Sequence, residues 1–358
     1  MPTPLPDSPE SLCVLRLSAV GDVCHTLPVV RTLQKHLPRT RITWVIGALE
    51  ATLLGDIEGV EFITFNKKDG LAGYRRLRRQ LAGRHFDVLL QMQVALRASL
   101  AALCIPATVR VGFDRARARD FQWLFTNRRI APGGHEHVMD GLFGFARALG
   151  ISERELRWDI PLSEADRAFA AEHVPADQPK LIISPCSSQR ARNFRNWAAE
   201  HYAAVADHAQ ARWGMPTLVT GGPSELERDY ARRISELASA PITDLVGRTS
   251  LKQLAALLER ARVLVSPDSG PVHIATAMGT PVIGLYATSN PDRTGPCLGR
   301  EWIVNRYPDN LREFLHTDVD SVRWGTRVRH PEAMERIRVD EVIERLDRLM
   351  ETSGAPAP

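Results

Sequence analysis

Twice along this chain, short apolar runs rich in β-branched residues alternate with segments of helical periodicity. Residues 12–17, 42–46, 60–65, 87–92 and 108–113 read as strands, and 23–37, 70–83 and 95–104 as the helices between them; a further helix over 137–149 is ended by Gly150. Strands buried on both faces read as continuous apolar runs, and helix-length spacers suit parallel pairing, so this rhythm predicts an α/β domain with a parallel sheet. The rhythm lapses over 151–179, where Pro161, Pro175 and Pro179 fall among charges, and an interdomain linker is expected there. It restarts with strands at 181–184, 217–220, 242–245, 263–266 and 282–286, and helices near 197–212, 224–238, 250–261 and 270–278.

A length of 358 residues suits two such domains better than one core. The expected boundaries are 1–165 for a first Rossmann-like domain, 166–330 for a second, and 331–358 for a terminal segment. After an irregular span from about 288 to 330, Met334, Ile337, Val342, Ile343, Leu346 and Leu349 recur at near-helical spacing and predict one amphipathic helix, followed by a tail expected to be disordered. A cleft between two such domains is the default place for a ligand.

Composition narrows the function classes. A hydrophobic share of 44% with 25% charged residues is that of a soluble globular protein. The net charge of +4 favours anionic partners without amounting to a nucleic-acid footprint. The opening MPTPLPDSPESL lacks the basic segment and apolar core of a secretory signal, and the apolar region from Phe86 to Pro106 is broken by Gln91, Gln93 and Arg97. A cytoplasmic protein without a transmembrane segment is expected. Five cysteines, at 13, 24, 104, 186 and 297, are widely spaced and odd in number, which suits reduced thiols.

The first strand-to-helix turn, in LRLSAVGDVCHTLP, carries one glycine, Gly21, where a dinucleotide fold has three, and then a carboxylate, Asp22. An anion thus stands where phosphates usually bind. In the second half, VLVSPDSGPVHIATAMGTPVIGLY runs from an apolar strand through Asp268, Ser269 and Gly270 into a helix opened by Pro271. Such a turn offers backbone N–H groups and the positive end of a helix dipole to a diphosphate; the alternative is that Asp268 or Ser269 caps the helix and His273 is a core histidine. SPCSS at 184–188, with Ser187 and Ser188, precedes Arg190, Arg192 and Arg195, a set suited either to phosphate oxygens or to a solvated surface. In TGGPSELE, Glu225 is placed to accept from ribose hydroxyls or simply to begin a helix.

Two basic clusters mark the first half: Lys67, Lys68, Arg75, Arg76, Arg78, Arg79 and Arg84 against Asp69, and Arg110, Arg115, Arg117, Arg119, Arg128 and Arg129 against Asp114 and Asp120. They read as solvated faces or as a positive rim for an anionic acceptor at a membrane surface. His135 and His137 in GGHEHVMD lack a nearby third ligand, so no metal site is expected.

LRLSAVGDVCHTLPVVRTLQ and SPDSGPVHIATAMGTPVIGLYATSNPDRTGP resemble the two signature regions of family nine glycosyltransferases, the lipopolysaccharide heptosyltransferases. VGFDRARARD, SSQRARNFRNW and TGGPSELER resemble that family's internal motifs in the same order. The resemblance implies a GT-B architecture, two Rossmann-like domains facing across a cleft, with the terminal helix crossing back to the first. It implies inverting, metal-independent transfer of heptose from ADP-heptose to the Kdo or heptose of the lipopolysaccharide inner core, in the manner of heptosyltransferase I and with no cofactor. The donor would sit on the second domain and the acceptor on the first, at the inner face of the cytoplasmic membrane, with no nucleic-acid partner.

Carried over by motif, Asp22 would be the general base and Arg195 would offset charge developing on the departing ADP, with Arg190 or Arg192 as alternatives. Ser187, Ser188, Glu225, Asp268, Ser269, Gly270 and His273 would hold the donor; Gly21, His25 and Arg119 would face the acceptor. The alternatives are a family member with another nucleotide sugar or acceptor, a nicotinamide dehydrogenase, which the missing G-x-G-x-x-G opposes, and an exported solute-binding protein, which the lack of a signal opposes.

Overall fold

A computed structural model describes residues 4–6, 8–187 and 193–352. The chain divides into two compact units, Met1–Pro161 and Leu162–Pro358.

In the first unit the elements are β1 (Ser11–Leu15), α1 (Val20–His36), β2 (Arg41–Gly47), α2 (Ala48–Leu54), β3 (Val60–Phe65), α3 (Gly70–Gln80), β4 (Phe86–Gln91), α4 (Leu96–Ala102), β5 (Ala107–Gly112), β6 (Arg128–Arg129) and α5 (Val138–Ala148). The strands pair in the order β3-β2-β1-β4-β5-β6, all parallel, with Cys13 of β1 opposite Thr43 of β2 and Leu89 of β4. Every residue of β1 is buried, as a central strand covered on both faces requires. On one face Cys13, Leu15, Val45 and Leu89 pack with Leu77 of α3 and with Ala98, Ala101 and Ala102 of α4.

The second unit holds α6 (Glu164–His173), β7 (Leu181–Ile183), α7 (Ala199–Trp213), β8 (Thr217–Val219), α8 (Glu225–Leu237), β9 (Ile242–Asp244), α9 (Leu251–Arg260), β10 (Val263–Pro267), α10 (Gly270–Ala277), β11 (Val282–Tyr286), α11 (Pro291–Thr294), β12 (Val304–Asn305), α12 (Tyr307–Leu315) and α13 (Val339–Thr352). Its parallel order, β12-β11-β10-β7-β8-β9, repeats that of the first sheet. Strand order therefore reverses between β1 and β4 in one unit and between β7 and β10 in the other. Chain segments leaving the carboxyl ends of those strands diverge, and the crevice they leave is where open α/β sheets bind ligands.

Three expectations change. The expected linker over 151–179 contains α6, which packs along α9; Ser163 and Asp166 form a capping box at its start, and Ala170 is buried. The irregular span contains α12, which buries Tyr307 and Leu311 against Val328 and Ala333. The terminal helix α13, expected to cross to the first domain, spends its apolar stripe on the second: Val342, Leu346, Leu349 and Met350 share a core with Leu181, Tyr202 and Val263. Polar ties reinforce that packing, since Trp197 Nε1 donates to the Ile337 carbonyl at 2.9 Å and Trp213 Nε1 to Asp347 at 2.6 Å. The tail residues 353–358 lie outside the described residues.

Candidate active site

At the switch point of the first unit, β1 runs into Arg16 to Ala19 and then into α1, where Asp22 occupies the third helical position. Asp22 Oδ2 accepts from the Ala19 N–H at 3.0 Å and from the Arg16 guanidinium at 2.6 Å. Helix N-termini favour negative charge, and here the chain supplies its own. Arg16 is nearly buried and also donates to the Met92 carbonyl just past β4, so its rigid fork fixes one carboxylate oxygen against the sheet. Asp22 itself stays about one-third exposed. Gln93 braces the same loop, accepting from the Leu17 N–H at 2.8 Å and donating to the Ser18 hydroxyl at 3.2 Å. Gly21 is buried in the first helical turn.

Beside this loop lies a cavity of about 460 Å³ lined by Leu17, Ser18, Glu50, Lys67, Gln93 and Arg97, among others. Glu50 is buried in its wall. Burial pushes the Glu50 carboxyl upward, Asp22 adds to the rise, and Lys67 and Arg16 oppose it. A Cβ on Gly47 would stand 2.3 Å from Glu50 Oε2 and 2.2 Å from the Leu17 carbonyl, so only glycine leaves that carboxyl its place.

The second unit arranges its switch point differently. Asp268 is buried just past β10, where its Oδ2 accepts from the Ser289 hydroxyl at 2.7 Å and faces Arg195 Nη1 at 3.3 Å. Arg195 Nη1 also donates to the Asp268 carbonyl at 2.9 Å, and its Nε reaches Asn193 at 3.2 Å. The Ser187 hydroxyl donates to the same Asn193 oxygen at 3.0 Å, so Ser187, Arg195 and Asp268 form one connected cluster. The Ser269 hydroxyl bonds that of Ser266 at 2.9 Å and makes no cap to α10. With Asp268 engaged elsewhere, neither side chain caps this helix, as is also the case at the starts of α2, α4 and α7. Serines do cap α6, α8 and α9. Gly270 opens α10, and His273 is buried one turn in.

Other predicted residues land elsewhere. Arg119 is exposed and makes no side-chain hydrogen bond or ion pair among the described residues, whereas its neighbour Arg117 is tied to Asp114 and Glu136. Arg110 donates to the Ala102 and Ile105 carbonyls, so part of that basic cluster is structural. His25 is buried edge-on against His137, ring centroids 5.1 Å apart, because it lies on the face of α1 that meets α5. Glu225 is exposed at the start of α8; Glu227 is the carboxylate over that turn, accepting from the Gly222 N–H at 2.7 Å and the Ser224 hydroxyl at 2.6 Å. Ser188, Arg190 and Arg192 lie outside the described residues. No group of three or more potential metal ligands occurs among the described residues, and His137 caps α5. The five cysteines are free thiols, and burial, with Glu227 adding, pushes Cys186 up to about 12. Sequence reasoning passed over Arg16, Glu50 and Glu227, whose only local signals were a lone cation at a strand end and acids early in helices.

Two Rossmann-like units of identical strand order, each with charged turns at its switch point, are the plan of GT-B glycosyltransferases. The model of glycosyltransferase family 9 (heptosyltransferase) matches residues 74–318, and the lipopolysaccharide core heptosyltransferase OpsX of Haemophilus influenzae is 40% identical over 96% of this chain and 98% of its own. The chain belongs to glycosyltransferase family 9, a family of glycosyl-transferring enzymes. Among solved structures, a family 9 glycosyltransferase from Veillonella parvula is 22% identical with a TM-score of 0.79, covering 96% of this chain and 98% of that one. E. coli heptosyltransferase WaaC with ADP is 21% identical with a TM-score of 0.71, covering 95% and 99%. Both show the GT-B fold.

Proposed function

We propose that this enzyme transfers heptose from ADP-heptose to the Kdo or heptose of the lipopolysaccharide inner core, in the manner of heptosyltransferase I, with inversion and without a metal or other cofactor. The observation that carries the reading is the contrast between the two switch points: one helix N-terminus is filled by Asp22, the other is left uncapped beside Arg195. The likeness to the Haemophilus core heptosyltransferase supports lipopolysaccharide core as the acceptor.

On this reading the donor diphosphate takes the backbone of Ser269 and Gly270, with Arg195, Ser187 and Ser188 around it, His273 behind, and Asp268 holding Arg195 in place. Glu225 is assigned to the ribose, and Gly21 and Arg119 to the acceptor side. The acceptor hydroxyl attacks the anomeric carbon as Asp22 takes its proton; the bond to the diphosphate oxygen breaks on the opposite face and its electron pair leaves with ADP. Arg195 offsets the charge that builds on that oxygen. The work is done at the cytoplasmic face of the inner membrane. No helix among the described residues is long and apolar enough to cross a membrane.

The test is a donor screen against Kdo-lipid A and its heptosylated product, run with Asp22→Asn alongside. ADP-heptose alone should be consumed, and Asp22→Asn should keep ADP affinity while turnover falls by roughly 100-fold or more. Consumption of only a UDP- or GDP-sugar would overturn the heptose assignment, and near-normal turnover of Asp22→Asn would overturn the base.

A further inference from the structure

The turn that follows β5 displays apolar side chains. Phe121, Trp123 and Leu124 are 64%, 51% and 62% exposed, and Arg115, Arg119 and Arg129 around them are exposed as well. The display is built into the fold. Gln122, in the middle of the triplet, is fully buried; its Nε2 donates to the carbonyls of Gln91 at 2.9 Å and Gln93 at 3.3 Å, and its Oε1 accepts from the Phe113 N–H at 3.1 Å. Asp120 and Phe121 hold φ of 50° and 58°, a conformation that a bulky residue keeps only where its surroundings enforce it.

Asp120 also accepts from the Leu96 N–H at 3.2 Å, which sets the turn against the start of α4. The outer face of α4 and its end add Leu96, Leu100 and Leu103 to the exposed apolar set. Alongside, α3 carries exposed Arg75, Arg76, Arg78 and Arg79, and Tyr74 ties it to α4 by donating to the Arg97 carbonyl at 3.4 Å. Gln93, which holds the turn, also braces the Asp22 loop, so the display stands at the same end of the sheet as Asp22.

We propose that this turn and the outer face of α4 dock the enzyme on an anionic lipid bilayer, Phe121, Trp123 and Leu124 entering the boundary between headgroups and acyl chains while the arginines of α3, with Arg115 and Arg129, meet lipid phosphates. Exposed apolar patches rimmed by charge mark interaction surfaces, and aromatic side chains favour the membrane interface. A protein partner would need complementary acids for this rim, whereas an anionic leaflet presents phosphates at the depth that the guanidinium groups reach. The proposal rests on the reading of a lipid-borne acceptor and deepens it, by bringing the Asp22 end of the first unit to the surface where that acceptor lies.

The experiment is flotation of the full-length protein with phosphatidylglycerol–phosphatidylethanolamine vesicles and with phosphatidylcholine vesicles, without donor or acceptor. The wild type should bind the anionic vesicles at least about tenfold better, and Phe121→Ser/Trp123→Ser/Leu124→Ser should lower its partition coefficient by about tenfold or more. Arg75→Gln/Arg79→Gln should lower it by roughly fivefold per charge. The apolar triple variant should keep its melting temperature and its turnover of a deacylated, soluble acceptor. Equal binding to both lipids, or an apolar triple variant that floats like the wild type, overturns the proposal. So does a triple variant that turns a wild-type dimer into a monomer with vesicle binding unchanged, which would assign the patch to a second copy of the chain. Failure of the wild type to use any heptose acceptor would instead overturn the proposed function, and the flotation result stands apart from it.

Discussion

Arg16 decides what kind of group Asp22 is. A carboxylate at the third position of a helix that receives the backbone N–H just before the helix has, by itself, the role of a cap. With the Arg16 guanidinium 2.6 Å from the same oxygen and Asp22 one-third exposed, the carboxylate is both oriented and accessible, which a proton acceptor needs. Glu50, by contrast, is buried, and burial pushes its carboxyl upward. The folded state holds the Glu50 proton more tightly than the unfolded chain does, so this group's contribution to stability is full at acid pH and is lost as pH rises from the ordinary glutamate value of about 4.3 through the raised folded one. Glu50→Gln should therefore melt at a higher temperature than the wild type at pH 8, with the gain vanishing toward pH 4; thermal melts across that range check it, and a constant difference would contradict it. The place of Asp22 in the first turn of α1 was legible because it is set by neighbours in the chain. Glu50 was not, since its environment is made by Gly47, Leu17 and Lys67, which only the sheet brings to one cavity.

At the scale of elements, helix starts divide by what satisfies their first N–H groups. Serine caps at 163, 224 and 250 close α6, α8 and α9, and Glu227 closes the glycine turn as well. The start of α10 lacks such a cap because Asp268 is drawn to Arg195 and Ser289, partners that are 73 and 21 residues away. Neither choice is visible in SPDSGP alone. The terminal helix makes the same point through packing: its amphipathic stripe was plain in the sequence, and its partner was not. Leu346 is fully buried in the second core, so Leu346→Ala should destabilise that unit by about 2–5 kcal/mol, measured by urea unfolding. A loss under 1 kcal/mol would place the helix outside the core. The missed α6 is a different lesson, for Pro161 and Pro175 flank the helix, and Ser163-x-x-Asp166 signals its start.

For the whole molecule, the repeated strand order gives two switch points that differ in charge. One presents a carboxylate, the other a cluster around Arg195 and an uncapped helix start. ADP should accordingly slow amide hydrogen exchange in 184–187 and 268–275 and leave 16–24 unchanged; equal protection of both turns would contradict that division. Sequence by itself determined the alternation of strands and helices, the number of units and the position of the two charged strand-to-helix turns, because each depends on periodicity and on neighbours a few residues apart. Tertiary structure alone decided which acid stays reachable, which is buried, which basic residues brace the fold and which side chains are displayed. Those properties depend on desolvation and on partners far away in the chain, which no local pattern encodes.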